Sequence, residues 1–169
     1  LEHDTSADQI TTLLNNICDT YQLPIVVSLH PRTAKRIKTN TADLSAGIRL
    51  HDPFNYFDFM CLQMNSLAVL SDSGTITEEA AIGNFNACNL RTTHERPEGM
   101  DEATVVMTGL NQQRICQTLN SFDRSTLNKK LPDDYAVPNV SEKVLRIILS
   151  YTDYVDHYVW QKPQLKQAS

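Results

Sequence analysis

The sequence predicts an α/β fold in which a Rossmann-like parallel sheet carries helices on both faces. Short apolar runs rich in Val, Ile and Leu alternate with longer stretches of helical periodicity through most of the chain. The short runs do not alternate with polar residues, which is typical of parallel strands that are buried on both faces. A regular exchange of strand and helix indicates a parallel sheet covered by helices.

In the first third of the chain, a helix precedes the first strand. Residues 5–8 look like a helix N-cap with an acidic first turn, and apolar side chains then recur at helical spacing as far as Cys18. After Pro24, the apolar run at residues 25–29 predicts a buried strand. A short basic helix at residues 33–38 and a short strand at residues 48–50 follow.

The rest of the chain repeats this order. Apolar side chains predict a helix at residues 56–66, which precedes a buried strand at residues 67–70. A helix at residues 75–82 ends at Gly83, a residue type that favours the position just after a helix. The remaining expected elements are strands at 87–90 and 105–107, a polar loop at 92–101, a helix at 112–122, an irregular segment at 127–138 and a long helix at 140–160.

The composition is that of one folded domain. The chain has 169 residues, of which 41% are hydrophobic and 21% charged, so it can bury a core. The net charge of −5 disfavours a general nucleic-acid binder, which is usually basic, although local positive charge would still bind a small anion. No apolar run reaches the ~18 residues of a membrane helix. We therefore expect no nucleic acid and no membrane as partners.

The cysteines and histidines show no ligand pattern. Cys18, Cys61, Cys88 and Cys116 each stand alone in an apolar stretch, without a CxxC pair. We expect buried free thiols, and a cytoplasmic protein. The five histidines have no ligand spacing with one another or with a cysteine. We therefore expect no metal and no cofactor.

Three polar clusters follow the strands of the predicted sheet, at residues 30–32, 72–75 and 91–98. Ligands of parallel α/β folds bind beyond the carboxyl ends of the strands. These clusters are therefore the candidates for a binding site.

The turn after the strand at residues 67–70 is the strongest candidate. Residues 71–79 (SDSGTITEE) lead through small residues into a helix, so backbone can approach a ligand and the first helical turn suits a phosphate. Glu79 lies one turn inside, where its carboxylate would accept two hydrogen bonds from a ribose diol. The alternative is an ordinary helix start with Ser73 or Thr75 as its cap. Neither a GxGxxG motif nor a P-loop motif is present, which disfavours a dinucleotide fold.

The charged loop at residues 91–99 (RTTHERPEG) is the second candidate. Arg91 or Arg96 would contact a diphosphate, with a neighbouring carboxylate fixing the arginine rotamer. The alternative is a solvated surface loop with weak ion pairs.

Two weaker signals complete the set of candidates. His30, in the segment 30–33 (HPRT), would donate to an anionic ligand or is an ordinary structural histidine. Phe54, Phe57 and Phe59 would stack on a base or belong to the core.

Together these motifs identify a family. Residues 30–33, 53–59 (PFNYFDF), 71–79 and 91–99, in this order and spacing, closely resemble the non-hydrolysing UDP-N-acetylglucosamine 2-epimerases, and the resemblance covers residues 5–160. It implies a GT-B-type enzyme of two Rossmann-like halves with the active site between them. This chain would be the carboxyl-terminal half.

The resemblance also implies a domain organisation and partners. Residues 1–160 would form the UDP-binding domain, and residues 161–169 a polar tail. The amino-terminal domain of the same protein would supply most of the acid–base carboxylates, so the isolated chain would be inactive. A UDP-sugar is the implied substrate, and family members are commonly homodimers.

The implied reaction inverts C2 of the sugar in UDP-N-acetylglucosamine, or in a related UDP-2-acetamido sugar. It proceeds by elimination and re-addition of UDP and serves surface polysaccharides such as capsule or O-antigen. Arg96 would reach the diphosphate–sugar region and is the catalytic candidate in this chain. The other implied contacts are Phe59 against the uracil beside the Phe54 backbone, Ser73, Gly74 and Thr75 on the phosphates, Glu79 on the ribose hydroxyls, and His30 on a second, regulatory UDP-sugar.

Two positions depart from the family pattern, which commonly has glycine in place of Thr75 and threonine in place of His94. The form with Thr75 resembles a subgroup that makes UDP-N-acetyl-L-fucosamine, so the sugar stays open. Two other hypotheses remain. One is the nucleotide-sugar-binding half of a GT-B glycosyltransferase, and the other is a non-catalytic interaction domain.

Overall fold

The computed structural model describes residues 7–29, 43–122 and 130–163. The basic helix expected at residues 33–38 and the cluster that begins at His30 lie outside these ranges. The chain divides into two compact units, Leu1–Tyr135 and Ala136–Ser169. The division into a domain at residues 1–160 and a tail at 161–169 stays a prediction.

In the first unit, helices and strands alternate along the chain. The helices are α1 at Ala7–Tyr21, α2 at Tyr56–Asn65, α3 at Ile76–Ile82, α4 at Pro97–Asp101 and α5 at Gln112–Ser121. The strands are β1 at Ile25–Ser28, β2 at Ile48–His51, β3 at Val69–Ser71, β4 at Ala87–Asn89 and β5 at Val106–Met107. One turn of 3-10 helix lies at Asp133–Tyr135.

All described strand pairs are parallel, as the apolar runs predicted. β1 pairs with β2, with Ile25 opposite Ile48. β3 pairs with β4, with Val69 opposite Ala87, and β4 pairs with β5. The described strands thus form a two-stranded sheet and a three-stranded sheet in the order β3-β4-β5. Because these strands are parallel, the carboxyl ends of β3, β4 and β5 lie at one edge of the second sheet.

Helices cover both faces of the three-stranded sheet, because successive residues of a strand point to opposite faces. On one face, Cys88 of β4 belongs to a buried cluster with residues of α1 and α5. On the other face, its neighbour Ala87 belongs to a buried cluster with residues of α3. The first cluster consists of Leu13, Ile17, Cys88, Ile115 and Leu119, and the second of Ile76, Ala80, Phe85, Ala87 and Val105.

The expected burial of the cysteines is wrong for two of them, and the alternative of a core position is wrong for Phe57. Cys61 is exposed and Cys116 is half-buried, whereas Cys18 and Cys88 are buried as expected. Phe57 is 81% exposed, so it does not belong to the core. Within α2, only Gln63 is buried, and Phe57 and Cys61 occupy exposed positions of the helix.

The second unit is built on one helix. α6 spans Val140–Tyr154 and continues as a π-helical turn at Val155–Val159, which confirms the long helix expected in this region. Several of its large apolar side chains are exposed, among them Leu149 and Trp160. Within the three described ranges, no helix has the length and apolar character needed to cross a membrane.

Candidate functional site

The candidate site lies at the sheet edge where β3 and β4 end. The backbone N–H of Leu90 donates to the carbonyl of Ser71 at 2.9 Å, which joins the two strand ends. One residue further along each strand, the guanidinium Nε of Arg91 donates to the carbonyl of Asp72. The small-residue turn after β3 and the charged loop after β4 therefore meet, as the parallel topology predicted.

The turn after β3 carries two exposed hydroxyl groups. The Oγ atom of Ser73 lies 2.9 Å from Oγ1 of Thr75, and both residues are exposed. Thr75 occupies the N-cap position of α3, as one alternative expected, but its side chain makes no capping bond. Its hydroxyl instead donates to Oε1 of Glu79 at 2.6 Å. Thr75 therefore links the turn to the carboxylate one helical turn away.

Gly74 lies against two arginine side chains. A methyl group built on Gly74 would be 3.0 Å from Nη1 of Arg96 and 3.5 Å from Nη1 of Arg91. Guanidinium groups bind phosphate oxygens through paired, charge-assisted hydrogen bonds. An acidic chain thus presents a local pair of cations at this turn.

A carboxylate of α3 holds Arg96 in place. The Nε atom of Arg96 donates to Oε1 of Glu78, and this hydrogen bond raises the pKa of the guanidinium. Glu95, from the charged loop itself, is further away, with its Oε2 atom 3.8 Å from Nη1. The sequence predicted a neighbouring carboxylate for this arginine. The structure identifies Glu78 as the main partner, and 27% of the Arg96 side chain is exposed to solvent.

Both oxygens of the Glu79 carboxylate have a donor. Thr75 donates to Oε1, and Nε2 of Gln63 donates to Oε2 at 2.8 Å. Glu79 itself is half-buried. The sequence interpretation missed Gln63. A signal was present, because this glutamine stands among apolar residues of α2, four residues after Phe59.

A tyrosine anchors α4, the helix that begins after Arg96. The hydroxyl of Tyr135 donates to Oε1 of Glu98 at 2.8 Å. The backbone N–H of Glu98 and this hydroxyl hold the pKa of the Glu98 carboxyl below its ordinary value, while burial raises the pKa of Tyr135. Gly99 packs so closely that a methyl group there would be 3.1 Å from Oγ1 of Thr104 and 3.2 Å from the Tyr135 hydroxyl.

The aromatic candidates lie between the end of β2 and the first turn of α2, with Phe54 on the connecting segment and the other two on α2. The ring of Phe54 stacks on that of His51, with centroids 4.0 Å apart and an interplanar angle of 12°. Phe59 is half-buried and lies one helical turn before Gln63. Side chains four residues apart share one face of a helix. Phe59 therefore belongs to the face of α2 that contacts Glu79.

The structure brings most of the predicted site residues to one sheet edge. These are Ser73, Gly74, Thr75, Glu79 and Arg96. Phe54 lies on the segment between β2 and α2, Phe59 lies on α2 itself, and His30 lies outside the described residues. Cations beside a small-residue turn suit a phosphate group, and a nearby carboxylate suits a pair of hydroxyl groups. A phosphorylated ligand with a diol fits this combination.

Comparison with protein families agrees with this chemistry. The family model described as UDP-N-acetylglucosamine 2-epimerase matches residues 1–149. The chain belongs to this family. The UDP-N-acetylglucosamine 2-epimerase of Methanocaldococcus jannaschii is 31% identical over 142 residues, which make up 82% of this chain and 38% of that protein. The family resemblance drawn from the four motifs is confirmed.

Solved structures of UDP-N-acetylglucosamine 2-epimerases share the fold. The structure from Rickettsia bellii superposes with a TM-score of 0.81 at 40% identity, over 93% of this chain and 44% of that one. The structure of the Methanocaldococcus jannaschii enzyme in complex with UDP-GlcNAc and UDP has a TM-score of 0.75 at 27% identity, over 85% of this chain and 40% of that one. The predicted Rossmann-like fold is confirmed, and the chain spans about two fifths of these relatives.

Proposed function

We propose that this chain is the UDP-binding part of an enzyme that inverts C2 of a UDP-sugar. The substrate is UDP-N-acetylglucosamine or a related UDP-2-acetamido sugar. The observation that carries the proposal is the convergence of Arg91 and Arg96 on Gly74, one helical turn from the carboxylate of Glu79. The two cations match the negative charge of a diphosphate, and the carboxylate matches the hydroxyl groups of the adjoining ribose.

In this proposal the diphosphate is bound at the turn after β3. The backbone and hydroxyls of Ser73 and Thr75 face the phosphate oxygens, with Gly74 allowing close approach. Arg96 adds a cation that Glu78 orients. In keeping with the family resemblance, Arg96 would reach the sugar side of the diphosphate and is the catalytic candidate.

The reaction needs a site that holds UDP while its bond to the sugar breaks. A base removes the C2 proton, the C2–H electron pair forms the C1–C2 double bond, and the C1–O pair leaves with UDP. UDP then adds back to C1, and a proton enters C2 from the opposite face. Negative charge grows on the leaving diphosphate, and the two arginines stabilise it electrostatically. We expect the acid–base carboxylates on the part of the full-length protein that this chain does not span.

The nucleoside would extend from the turn toward α2. Glu79 would accept hydrogen bonds from the ribose hydroxyls, and Phe59 would lie against the uracil beside the backbone of Phe54. The shared face of α2 supports this order, because Phe59 and the partner of Glu79 lie one turn apart. A second UDP-sugar at His30, a homodimer and a cytoplasmic location stay predictions of the family resemblance.

Titration of UDP into the full-length protein tests the binding site, with UMP and ADP as controls for the diphosphate and the base. We expect Arg96→Ala to weaken UDP binding about ten- to hundredfold, since a hydrogen bond to a charged group contributes about 1.5–3 kcal/mol. Arg114→Ala is the matched control, because it removes an exposed arginine of α5. Equal losses in the two variants would contradict the site.

Turnover separates the proposed epimerase from the alternatives. The full-length protein is incubated in D₂O with UDP-N-acetylglucosamine, and separately with a 6-deoxy UDP-2-acetamido sugar, without an acceptor. An epimerase forms the C2 epimer and places deuterium at C2. A glycosyltransferase leaves the sugar unchanged without an acceptor, and an interaction domain binds no UDP. The substrate that turns over faster identifies the sugar.

A further inference from the structure

Gln63 is a buried amide that the proposed reaction does not yet use. It is 3% exposed and lies on α2, where it is the one fully buried residue. Its Nε2 atom donates to Oε2 of Glu79 at 2.8 Å. Its Oε1 atom is buried and has no hydrogen-bond partner among the residues that the structure describes. The side chain of Gln63 therefore makes one polar contact there, and that contact is Glu79.

Folding stability does not explain an amide at this position. Burying a polar atom without a hydrogen bond costs free energy, and an apolar side chain of the same volume avoids that cost. Leu and Met have side chains of similar volume and carry no polar atom that would need a partner. The amide is therefore better explained by what its N–H group does to Glu79.

The two residues that donate hydrogen bonds to the Glu79 carboxylate differ in their exposure to solvent. Thr75 is exposed and donates to Oε1, while Gln63 is buried and donates to Oε2. An ionised carboxylate has about four acceptor positions, so two remain for other donors. A neutral amide also leaves the charge of Glu79 intact, whereas a lysine at position 63 would neutralise it and a glutamate would repel it.

We propose that Gln63 is a positioning residue, which sets the rotamer of Glu79 and thereby the preference of the site for a ribose over a deoxyribose. This inference rests on the proposed contact between Glu79 and the ribose hydroxyls. Gln63 touches no ligand itself. Its effect is therefore largest for ligands that carry the 2′-hydroxyl group, because Glu79 then makes both of its proposed hydroxyl contacts.

The test compares UDP with 2′-deoxy-UDP by calorimetric titration of the full-length protein. We expect the unaltered protein to prefer UDP by about tenfold or more, as for a hydrogen bond to a charged group. Gln63→Leu should weaken UDP binding about three- to tenfold and 2′-deoxy-UDP binding by a smaller factor, since that ligand lacks one of the two hydroxyl groups that Glu79 would contact. The preference for ribose then falls, which a purely structural role would not produce.

Four further variants sharpen the comparison. Glu79→Gln should also reduce the ribose preference, and the double variant Gln63→Leu/Glu79→Gln should lose nothing more, because Gln63 acts through Glu79. Gln117→Leu is the matched control, since Gln117 is an exposed glutamine on α5. Gln63→Met, with an unbranched side chain of similar volume, replaces Gln63→Leu if that variant does not fold.

Each outcome decides between the two proposals. If Glu79→Gln lowers the ribose preference but Gln63→Leu and Gln63→Met keep it, the positioning role is wrong and the ribose contact stands. If Glu79→Gln keeps the preference, or the unaltered protein has none, the ribose contact is wrong and the inference falls with it. An equal loss for both ligands in the Gln63 variants would show a structural role only.

Discussion

The guanidinium of Arg96 lies so close to Gly74 that a methyl group on the glycine would be 3.0 Å from Nη1. Arg91 approaches the same point from the start of the loop. Gly74 does not have a positive φ, so its backbone does not require glycine. The requirement comes from the two cations, which come this close to the backbone of the turn because Gly74 has no side chain.

Gly74→Ala should therefore weaken UDP binding without unfolding the protein. The new methyl group displaces the far end of Arg96, a flexible side chain, so we expect about a five- to tenfold loss of affinity, or roughly 1–1.4 kcal/mol. Calorimetric titration measures the affinity, and thermal unfolding should shift by no more than about 2 °C. Thr93→Ala, at an exposed position of the charged loop, is the control. Unchanged affinity in Gly74→Ala would show that the arginines do not bind UDP.

The sequence could predict that the site lies at one edge of the sheet, because apolar runs alone are enough to indicate parallel strands. Apolar runs predict buried parallel strands, and the carboxyl ends of neighbouring parallel strands meet. The contact between Arg91 and Asp72 follows from that geometry, although the two residues are 19 positions apart. The sequence marks each loop as polar and next to a strand end, and the pairing of β3 with β4 brings the two loops together.

The supporting contacts could not be predicted in the same way. Gln63 lies 16 positions from Glu79, and Tyr135 lies 37 positions from Glu98. Each pair depends on how one helical segment packs against another, which periodicity does not specify. The exposure of Phe57 has the same origin, because the apolar character of α2 did not indicate which face would be buried.

Tyr135→Phe should raise the pKa of the Glu98 carboxyl toward its ordinary value. The hydroxyl of Tyr135 stabilises the ionised carboxylate, so its removal makes protonation easier. The pKa should stay below the ordinary value of about 4.3, because the backbone N–H of Glu98 still contributes. An NMR titration of the side-chain carboxyl carbon measures the shift, with Tyr158→Phe, at an exposed tyrosine of the second unit, as the control.

The lowered pKa of the Glu98 carboxyl also predicts that the free energy of unfolding depends on pH. Since the folded-state pKa of Glu98 is lowered, its contribution is present above the unfolded-state pKa of about 4.3 and is lost as the pH falls through the folded value. The free energy of unfolding of Tyr135→Phe should therefore approach that of the unaltered protein below about pH 4. A difference that is constant from pH 7 to pH 3 would indicate lost packing instead.

Gly99→Ala should destabilise the fold. The added methyl group would overlap the Cγ2 methyl of Thr77 and crowd Oγ1 of Thr104 and the Tyr135 hydroxyl. Gly99 and Thr77 are buried, so neither can move into solvent. Overpacking of this kind costs about 1–3 kcal/mol, which urea unfolding would detect. A free energy of unfolding within about 0.5 kcal/mol of the unaltered value would contradict this packing.

Ala103→Gly should have the opposite effect a few residues away. Ala103 follows the C-cap residue of α4 and has a φ of +51°, in the left-handed region that favours glycine. Relief of this strain should stabilise the fold by roughly 0.5–1 kcal/mol, after the greater freedom of glycine in the unfolded chain is subtracted. Ala46→Gly is the matched control, because Ala46 is exposed and its φ is not positive. It should lose stability slightly through the unfolded chain alone. Urea unfolding of the two variants side by side therefore separates native-state strain from unfolded-state entropy, and equal shifts would contradict a strained backbone at Ala103.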